Sequence, residues 1–164
     1  MIPQISQAPG LVQRVLNFLQ ALEQQGFTGD TATSYADRLT MATDNSVYQL
    51  LPDAILFPRS TADVALIARI AGESRFASLV FTPRGGGTGT NGQALNQGII
   101  VDLSRYMNRI LEINTEQGWV RVEAGVIKDQ LNQYLKPFGY FFSPELSTSN
   151  RATLGGMINT DASG

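Results

Sequence analysis

The sequence predicts an α+β fold, because it combines amphipathic helices, short isolated strands and one hairpin within 164 residues. Several segments place apolar residues at the spacing of one helix face. Other segments are apolar runs of strand length bounded by turn-forming residues. A chain of this length buries one core of ordinary size, so we expect one domain with no internal boundary set by a linker.

The first half of the chain predicts three helices and one strand. Residues 31–40 and 54–57 are predicted as a helix and a strand, and Ser60 as the N-cap of a further helix. The first helix is predicted to end near Gly26. Its apolar face consists of Val12, Val15, Leu16, Leu19 and Leu22.

The second half predicts strands around a glycine-rich loop, followed by a hairpin and a helix. Residues 79–82 and 99–101 are apolar runs on either side of the loop. Residues 109–114 and 119–123 alternate apolar and polar side chains around a turn, which predicts a hairpin. Residues 128–135 are predicted as a helix that Pro137 and Gly139 stop.

The loop itself, residues 83–92 (P-R-G-G-G-T-G-T-N-G), is the strongest functional signal. Glycines allow positive φ angles and let successive N–H groups converge on an anion. Thr88, Thr90 and Asn91 add side-chain donors, and Arg84 adds a charged fork suited to phosphate oxygens. The loop therefore predicts a diphosphate site.

Three kinds of phosphate loop are distinguished by their surroundings. A Walker loop needs a lysine, and none occurs before Lys128. The Rossmann spacing is met by Gly87, Gly89 and Gly92, but it requires a following helix, whereas another strand is predicted here. We therefore favour a diphosphate loop between two strands, and the alternative is that the glycines serve only a tight connection.

A second segment, residues 144–164, is also suited to a cofactor. It begins with polar, turn-forming residues, and the pair Gly155 and Gly156 permits a backbone to lie against a flat ring. The alternative is that these glycines only let a helix pack tightly.

Composition excludes several chemistries. The 164 residues contain no Cys and no His, so they supply no thiol nucleophile, iron–sulfur ligand or histidine base. The net charge is -2, from 12 basic and 14 acidic residues without a basic cluster, so we expect no nucleic-acid partner. Residues 1–27 lack a continuous apolar core, and we expect a cytoplasmic protein without a membrane span.

Four ordered motifs resemble the FAD-binding domain of the vanillyl-alcohol oxidase and p-cresol methylhydroxylase (PCMH-type) family. They are residues 83–89, 100–110, 122–125 and 152–164. The resemblance implies a PCMH-type FAD-binding domain with small mixed sheets flanked by helices. It covers residues 52 to 164, so we expect an incomplete FAD-binding domain at 51–164, an N-terminal helical extension at 1–50 and an N-terminal fragment of a longer protein.

The resemblance and the two segments together define a predicted FAD site. In the second segment, the residues match positions at which the family supplies hydrogen bonds or close backbone contacts to FAD. The residues predicted to bind the cofactor are Pro83, Arg84, Gly85, Gly86, Gly87, Thr88, Gly89, Thr90, Asn91, Pro144, Thr148, Thr153, Gly155, Gly156, Asn159, Thr160 and Ser163. No catalytic residue and no metal ligand is predicted.

A further motif, residues 41–48 (M-A-T-D-N-S-V-Y), resembles the subgroup that oxidises D-2-hydroxy acids and, within it, long bacterial proteins that also contain an iron–sulfur module. This implies hydride transfer from a small 2-hydroxy acid, D-2-hydroxyglutarate, to flavin N5, with noncovalent FAD and an unidentified electron acceptor. A 4Fe–4S cluster is expected only in the missing C-terminal part. The alternatives are an oxidase or reductase of the same fold acting on a sugar, lactone or cell-wall precursor, and a noncatalytic nucleotide-binding module.

Overall fold

The computed structural model describes residues 12–162, and its main sheet has four strands. These are β1 (Asp30–Ala32), β2 (Ala54–Phe57), β3 (Phe81–Arg84) and β4 (Ile99–Asp102), in the order β1-β2-β4-β3. β2, β4 and β3 run parallel, while β1 is antiparallel to β2. A separate hairpin pairs β5 (Ile110–Asn114) with β6 (Trp119–Val122). The predicted α+β class with small mixed sheets is confirmed.

Five α-helices surround these sheets within the described residues. They are α1 (Gln13–Gln24), α2 (Tyr35–Thr40), α3 (Thr61–Ala71), α4 (Lys128–Leu135) and α5 (Leu154–Asn159), with 3-10 turns at Ser74–Phe76 and Lys136–Phe138. The predicted cap is confirmed, because the Ser60 hydroxyl accepts a hydrogen bond from the Asp63 amide at 3.2 Å. Between residues 12 and 162, no helix has the length and hydrophobicity needed to cross a bilayer.

The main sheet is covered on both faces, as its wholly buried strands β2 and β4 require. On one face, α1 and α3 pack against Leu56 and Val101. Phe18 of α1 is fully buried there, with its ring 5.2 Å from that of Phe76 and 5.0 Å from that of Phe81. Since Phe81 opens β3, this cluster anchors the strand that leads into the glycine-rich loop.

A second hydrophobic cluster joins the hairpin to α4 and α5. Its fully or nearly fully buried members are Val126, Leu131, Leu135, Ala152, Leu154 and Met157. Ile113 and Val120 of the hairpin pack against it. The glycine-rich loop projects from the first cluster towards the second, so residues distant in sequence meet between them.

Two predicted elements need correction. Residues 31–40 are not one helix, because Asp30–Ala32 forms the edge strand β1 and α2 begins only after Ser34, whose hydroxyl caps it. Strand β3 lies two residues later than predicted and includes Pro83. A proline is tolerated because β3 is at an edge of the sheet, like β1, and one side of its backbone needs no donor.

The start of α3 is stabilised by a buried carboxylate. Asp63 is 3% exposed and accepts hydrogen bonds from the Thr28 amide at 2.9 Å, the Thr28 hydroxyl at 2.8 Å and the Arg59 amide at 2.9 Å. Burial alone would raise the pKa of Asp63, but these hydrogen bonds to the charged form outweigh it and hold the pKa below its ordinary value.

We expect this carboxylate to make the domain acid-sensitive. Because the pKa is lower in the folded state, ionised Asp63 stabilises the fold above about pH 4 and the stabilisation is lost as the pH falls through the folded pKa. Asp63→Asn should therefore reduce the loss of stability between about pH 5 and about pH 3. Urea-dependent hydrogen exchange on α3 peptides measures this, and an unchanged pH profile would contradict it.

Candidate cofactor-binding cleft

A cleft of about 370 Å³ lies between the glycine-rich loop and the segment that leads into α5. The loop runs from β3 to β4 without a helix, so the predicted arrangement of a loop between two strands is confirmed. The described residues that line the cleft are Pro83, Gly85, Gly86, Gly87, Thr88, Gly89, Thr90, Gln93, Ala94, Leu146, Thr148, Ala152, Thr153, Gly156, Met157, Asn159, Thr160 and Ala162.

The loop wall presents a row of backbone donors. Within the described part of the chain, no group accepts a hydrogen bond from the amides of residues 85–90. Gly87 adopts a φ of 61°, a backbone conformation that side-chain-bearing residues rarely adopt. Successive amides free of intramolecular partners form a concavity that attracts anions. None of the described residues that line the cleft carries a charged side chain, so the backbone dipoles are the source of positive potential that these residues supply.

The loop lies directly against the opposite wall. A Cβ added to Gly85 would be 2.0 Å from Thr153 Oγ1, and one added to Gly86 would be 2.1 Å from the carbonyl oxygen of Arg151. Thr153 is 2% exposed, and its Oγ1 has no hydrogen-bond partner among the described residues. The two walls are therefore in direct contact, through backbone at Gly86 and through the Thr153 side chain at Gly85.

The opposite wall is held by α4. The Lys128 and Asp129 amides donate to the carbonyls of Ala152 and Ser149 at 3.1 and 3.2 Å. The Lys128 side chain is 2% exposed, and its Nζ lies 2.9 Å from Glu145 Oε1. These bonds fix residues 145–152 before α5 begins.

The two glycines of α5 have different environments. A Cβ on Gly155 would lie 2.8 Å from the Ala124 Cβ, as expected if this glycine allows tight packing. Gly156 lines the cleft, as expected if its backbone is open to a ligand. The tight-packing interpretation thus fits Gly155, and the cofactor-contact interpretation fits Gly156.

The structure brings most of the predicted site residues together. Of those in the described region, the ones outside the cleft lining are Arg84, Asn91, Pro144 and Gly155. Arg84 differs most from the expectation, because its Nη2 donates to the Thr43 carbonyl at 2.8 Å instead of entering the cleft. Ser163 lies outside the described residues.

Several lining residues were missed by the sequence analysis. They are Gln93, Ala94, Leu146, Ala152, Met157 and Ala162. Leu146 and Met157 also belong to the second hydrophobic cluster or pack on it, so their apolar character is that of any core residue. Ala152 directly precedes the predicted Thr153, and this adjacency was the one available signal.

The fold and this cleft define a flavin-nucleotide-binding domain, and the chain belongs to the FAD-binding domain family, whose model matches residues 52–164. The chain is 88% identical to D-2-hydroxyglutarate dehydrogenase of Escherichia coli (strain K12) and 64% identical to that of Haemophilus influenzae (strain ATCC 51907 / DSM 11121 / KW20 / Rd). Both matches cover 100% of this chain and 16% of the relative.

A solved structure of alkyldihydroxyacetonephosphate synthase has the same fold. It aligns with a TM-score of 0.80 and 20% identity, over 96% of this chain and 32% of the other. The chain therefore spans about a third of that structure and 16% of the dehydrogenases that it resembles.

The residues of the cleft fit FAD. The free amides of residues 85–90 suit a diphosphate, and the partnerless Thr153 Oγ1 supplies one more polar contact. Leu146, Ala152 and Met157 provide an apolar surface suited to an aromatic ring.

Proposed function

We propose that this chain is the FAD-binding part of a flavin-dependent dehydrogenase that oxidises D-2-hydroxyglutarate to 2-oxoglutarate. The substrate rests on the 88% identity to a D-2-hydroxyglutarate dehydrogenase. The cofactor role rests on one observation above all, the row of amides at residues 85–90 that find no acceptor within the described chain. The proposed full-length protein extends to the length of these relatives.

In this proposal, the chain binds and orients the cofactor, and no residue of it acts on the substrate. The amides of residues 85–90 hold the diphosphate, and Thr153 Oγ1 hydrogen-bonds to the cofactor. Gly156 leaves room for close approach. When bound, FAD supplies the acceptor for the hydride that leaves the hydroxyl-bearing carbon of the substrate. Binding is noncovalent with respect to Cys and His, since the chain has neither.

The remaining features of the full-length protein are proposals on the same basis. We place the substrate-binding groups, the catalytic base and a 4Fe–4S cluster in other parts of the polypeptide, and we assign no electron acceptor. The proposed location is the cytoplasm.

The test is the anaerobic visible spectrum of the full-length protein before and after D-2-hydroxyglutarate is added. We expect an oxidised flavin band that the D-enantiomer bleaches, because hydride transfer reduces the flavin. L-2-Hydroxyglutarate is the matched control, and D-lactate tests the breadth of the substrate class.

Two other outcomes would contradict this proposal in different ways. A flavin band that no 2-hydroxy acid bleaches would support the cofactor assignment and reject the proposed reaction. The function would then be that of an enzyme acting on another substrate or of a noncatalytic module. A colourless protein that does not take up added FAD would reject the cofactor assignment itself.

A further inference from the structure

The Arg84 side chain, which the sequence suggested as a phosphate ligand, is engaged behind the glycine-rich loop. Its Nη2 donates to the Thr43 carbonyl at 2.8 Å, and its Nη1 makes longer contacts of 3.4 Å to the carbonyls of Met41 and Ala94. A Cβ on Gly87 would lie 2.6 Å from Nη2, so the guanidinium packs directly under the loop. It thereby connects the loop to residues more than forty positions earlier in the chain.

Residues 41–48, hereafter the bracing segment, contact the loop at two further points. The Asn45 amide donates to the Gly87 carbonyl at 3.0 Å. The Tyr48 ring lies beside Gly92, 2.9 Å from where a Cβ would be. An antiparallel bridge joins Thr43 of the segment to Gln49, the residue that directly follows it. None of the described residues that line the cleft belongs to this segment.

Two carboxylates balance the charge of Arg84. Burial lowers the pKa of the guanidinium, and the charges of Asp102 and Asp44 act in the opposite direction by favouring its charged form. Asp44 Oδ2 is buried and has no hydrogen-bond partner among the described residues. A buried carboxylate oxygen without a partner is costly unless a nearby positive charge compensates it. The attraction between Arg84 and Asp44 therefore offsets part of this cost.

We infer that Arg84 is a positioning residue that couples the bracing segment to the glycine-rich loop, so that the amides of residues 85–90 face the cleft in the geometry that binds FAD. This inference rests on the proposed function for its ligand. The planar guanidinium is essential to this role, because it reaches the Thr43 and Ala94 carbonyls at the same time. A lysine ammonium on a flexible stem does not reproduce this geometry.

The test compares Arg84→Lys, Arg84→Met and the exposed helix variant Arg69→Met in the full-length protein. We measure the Kd for FAD at low and high salt, and hydrogen exchange of peptides from the loop, the bracing segment and β2. Asp44→Asn, alone and with Arg84→Lys, is the second variant and keeps the inference testable if Arg84→Met does not fold.

We expect both Arg84 variants to weaken FAD binding about tenfold, equivalent to the loss of about one hydrogen bond to a charged group. Hydrogen exchange should be faster in the loop and the bracing segment but unchanged in β2. The ratio of the Kd values at high and low salt should equal that of the parent protein. Asp44→Asn should act in the same direction and be non-additive with Arg84→Lys. Arg69→Met should behave as the parent.

Three results would overturn the inference. Full binding by Arg84→Lys with weak binding by Arg84→Met would make the charge itself the ligand. Unchanged FAD affinity in both variants would remove any role in binding, and faster exchange in β2 as well would mean a general structural role. A parent protein that binds no FAD would instead reject the proposed function, while the exchange experiment would still test the coupling.

Discussion

Replacing Gly86 by alanine is expected to weaken FAD binding and lower the flavin content of the purified protein. The new Cβ would lie 2.1 Å from the carbonyl oxygen of Arg151 and 3.0 Å from its carbon. These are backbone atoms and do not rotate away, so the loop must move off the opposite wall of the cleft. Overpacking of this kind costs about 1–3 kcal/mol, which corresponds to a Kd for FAD that is weaker by about fivefold to about 150-fold.

The measurement is the flavin content of the purified full-length protein, followed by a fluorescence titration of the apoprotein with FAD. Gly72→Ala is the matched control, because a Cβ there would make an ordinary 3.4 Å contact at the end of α3. If Gly86→Ala retains its flavin as Gly72→Ala does, the glycine-rich loop is not the diphosphate site.

Lys128 and Glu145 form one ion pair, but removing Glu145 is expected to destabilise the region much more than removing Lys128. Lys128 is 2% exposed, whereas Glu145 is 77% exposed. Glu145→Ala leaves a buried ammonium without its counter-charge. We expect this to destabilise the region by about 1–2 kcal/mol, less than for a fully buried pair, because water reaches the exposed position of Glu145. Lys128→Met removes the buried charge and fills the space with an apolar side chain of similar length, so it should be close to neutral.

Urea-dependent hydrogen exchange on α4 peptides measures both changes in the free energy of unfolding. The double variant Lys128→Met/Glu145→Ala should recover most of the stability lost in Glu145→Ala, because no buried charge remains. FAD binding should fall most in Glu145→Ala, because the unpaired Lys128 ammonium then disturbs residues 145–152, which form the opposite wall of the cleft. Equal losses in the two single variants would contradict this account.

Local pattern was sufficient for most of the elements. α4 spans the predicted residues 128–135, and the hairpin lies where alternation placed it. The errors occurred where a residue's preference depends on its neighbours in the sheet. Pro83 suggested the end of a strand, yet it lies within β3 because that strand is at the edge. The strand β1 was missed because it is three residues long and is defined by its pairing with β2.

The candidate site also contains a part that the sequence predicted and a part that it did not. The glycine-rich loop and the residues around Gly156 were predicted from composition and motif, and the structure places them on opposite walls of one cleft. The apolar lining by Leu146 and Met157 was not predicted, because a core residue and a cleft residue have the same composition signal.

The sequence by itself determined most of the element types, the kind of loop and the membership of an FAD-binding family, since each depends on short motifs of neighbouring residues. Only the tertiary structure decided that Arg84 lies behind the loop and that Thr153 lies beneath it. The reason is that the carbonyl bound by Arg84 belongs to Thr43 and the hydroxyl against Gly85 belongs to Thr153. Such partners are chosen by the packing of distant segments, and no local pattern encodes which way a side chain turns to meet them.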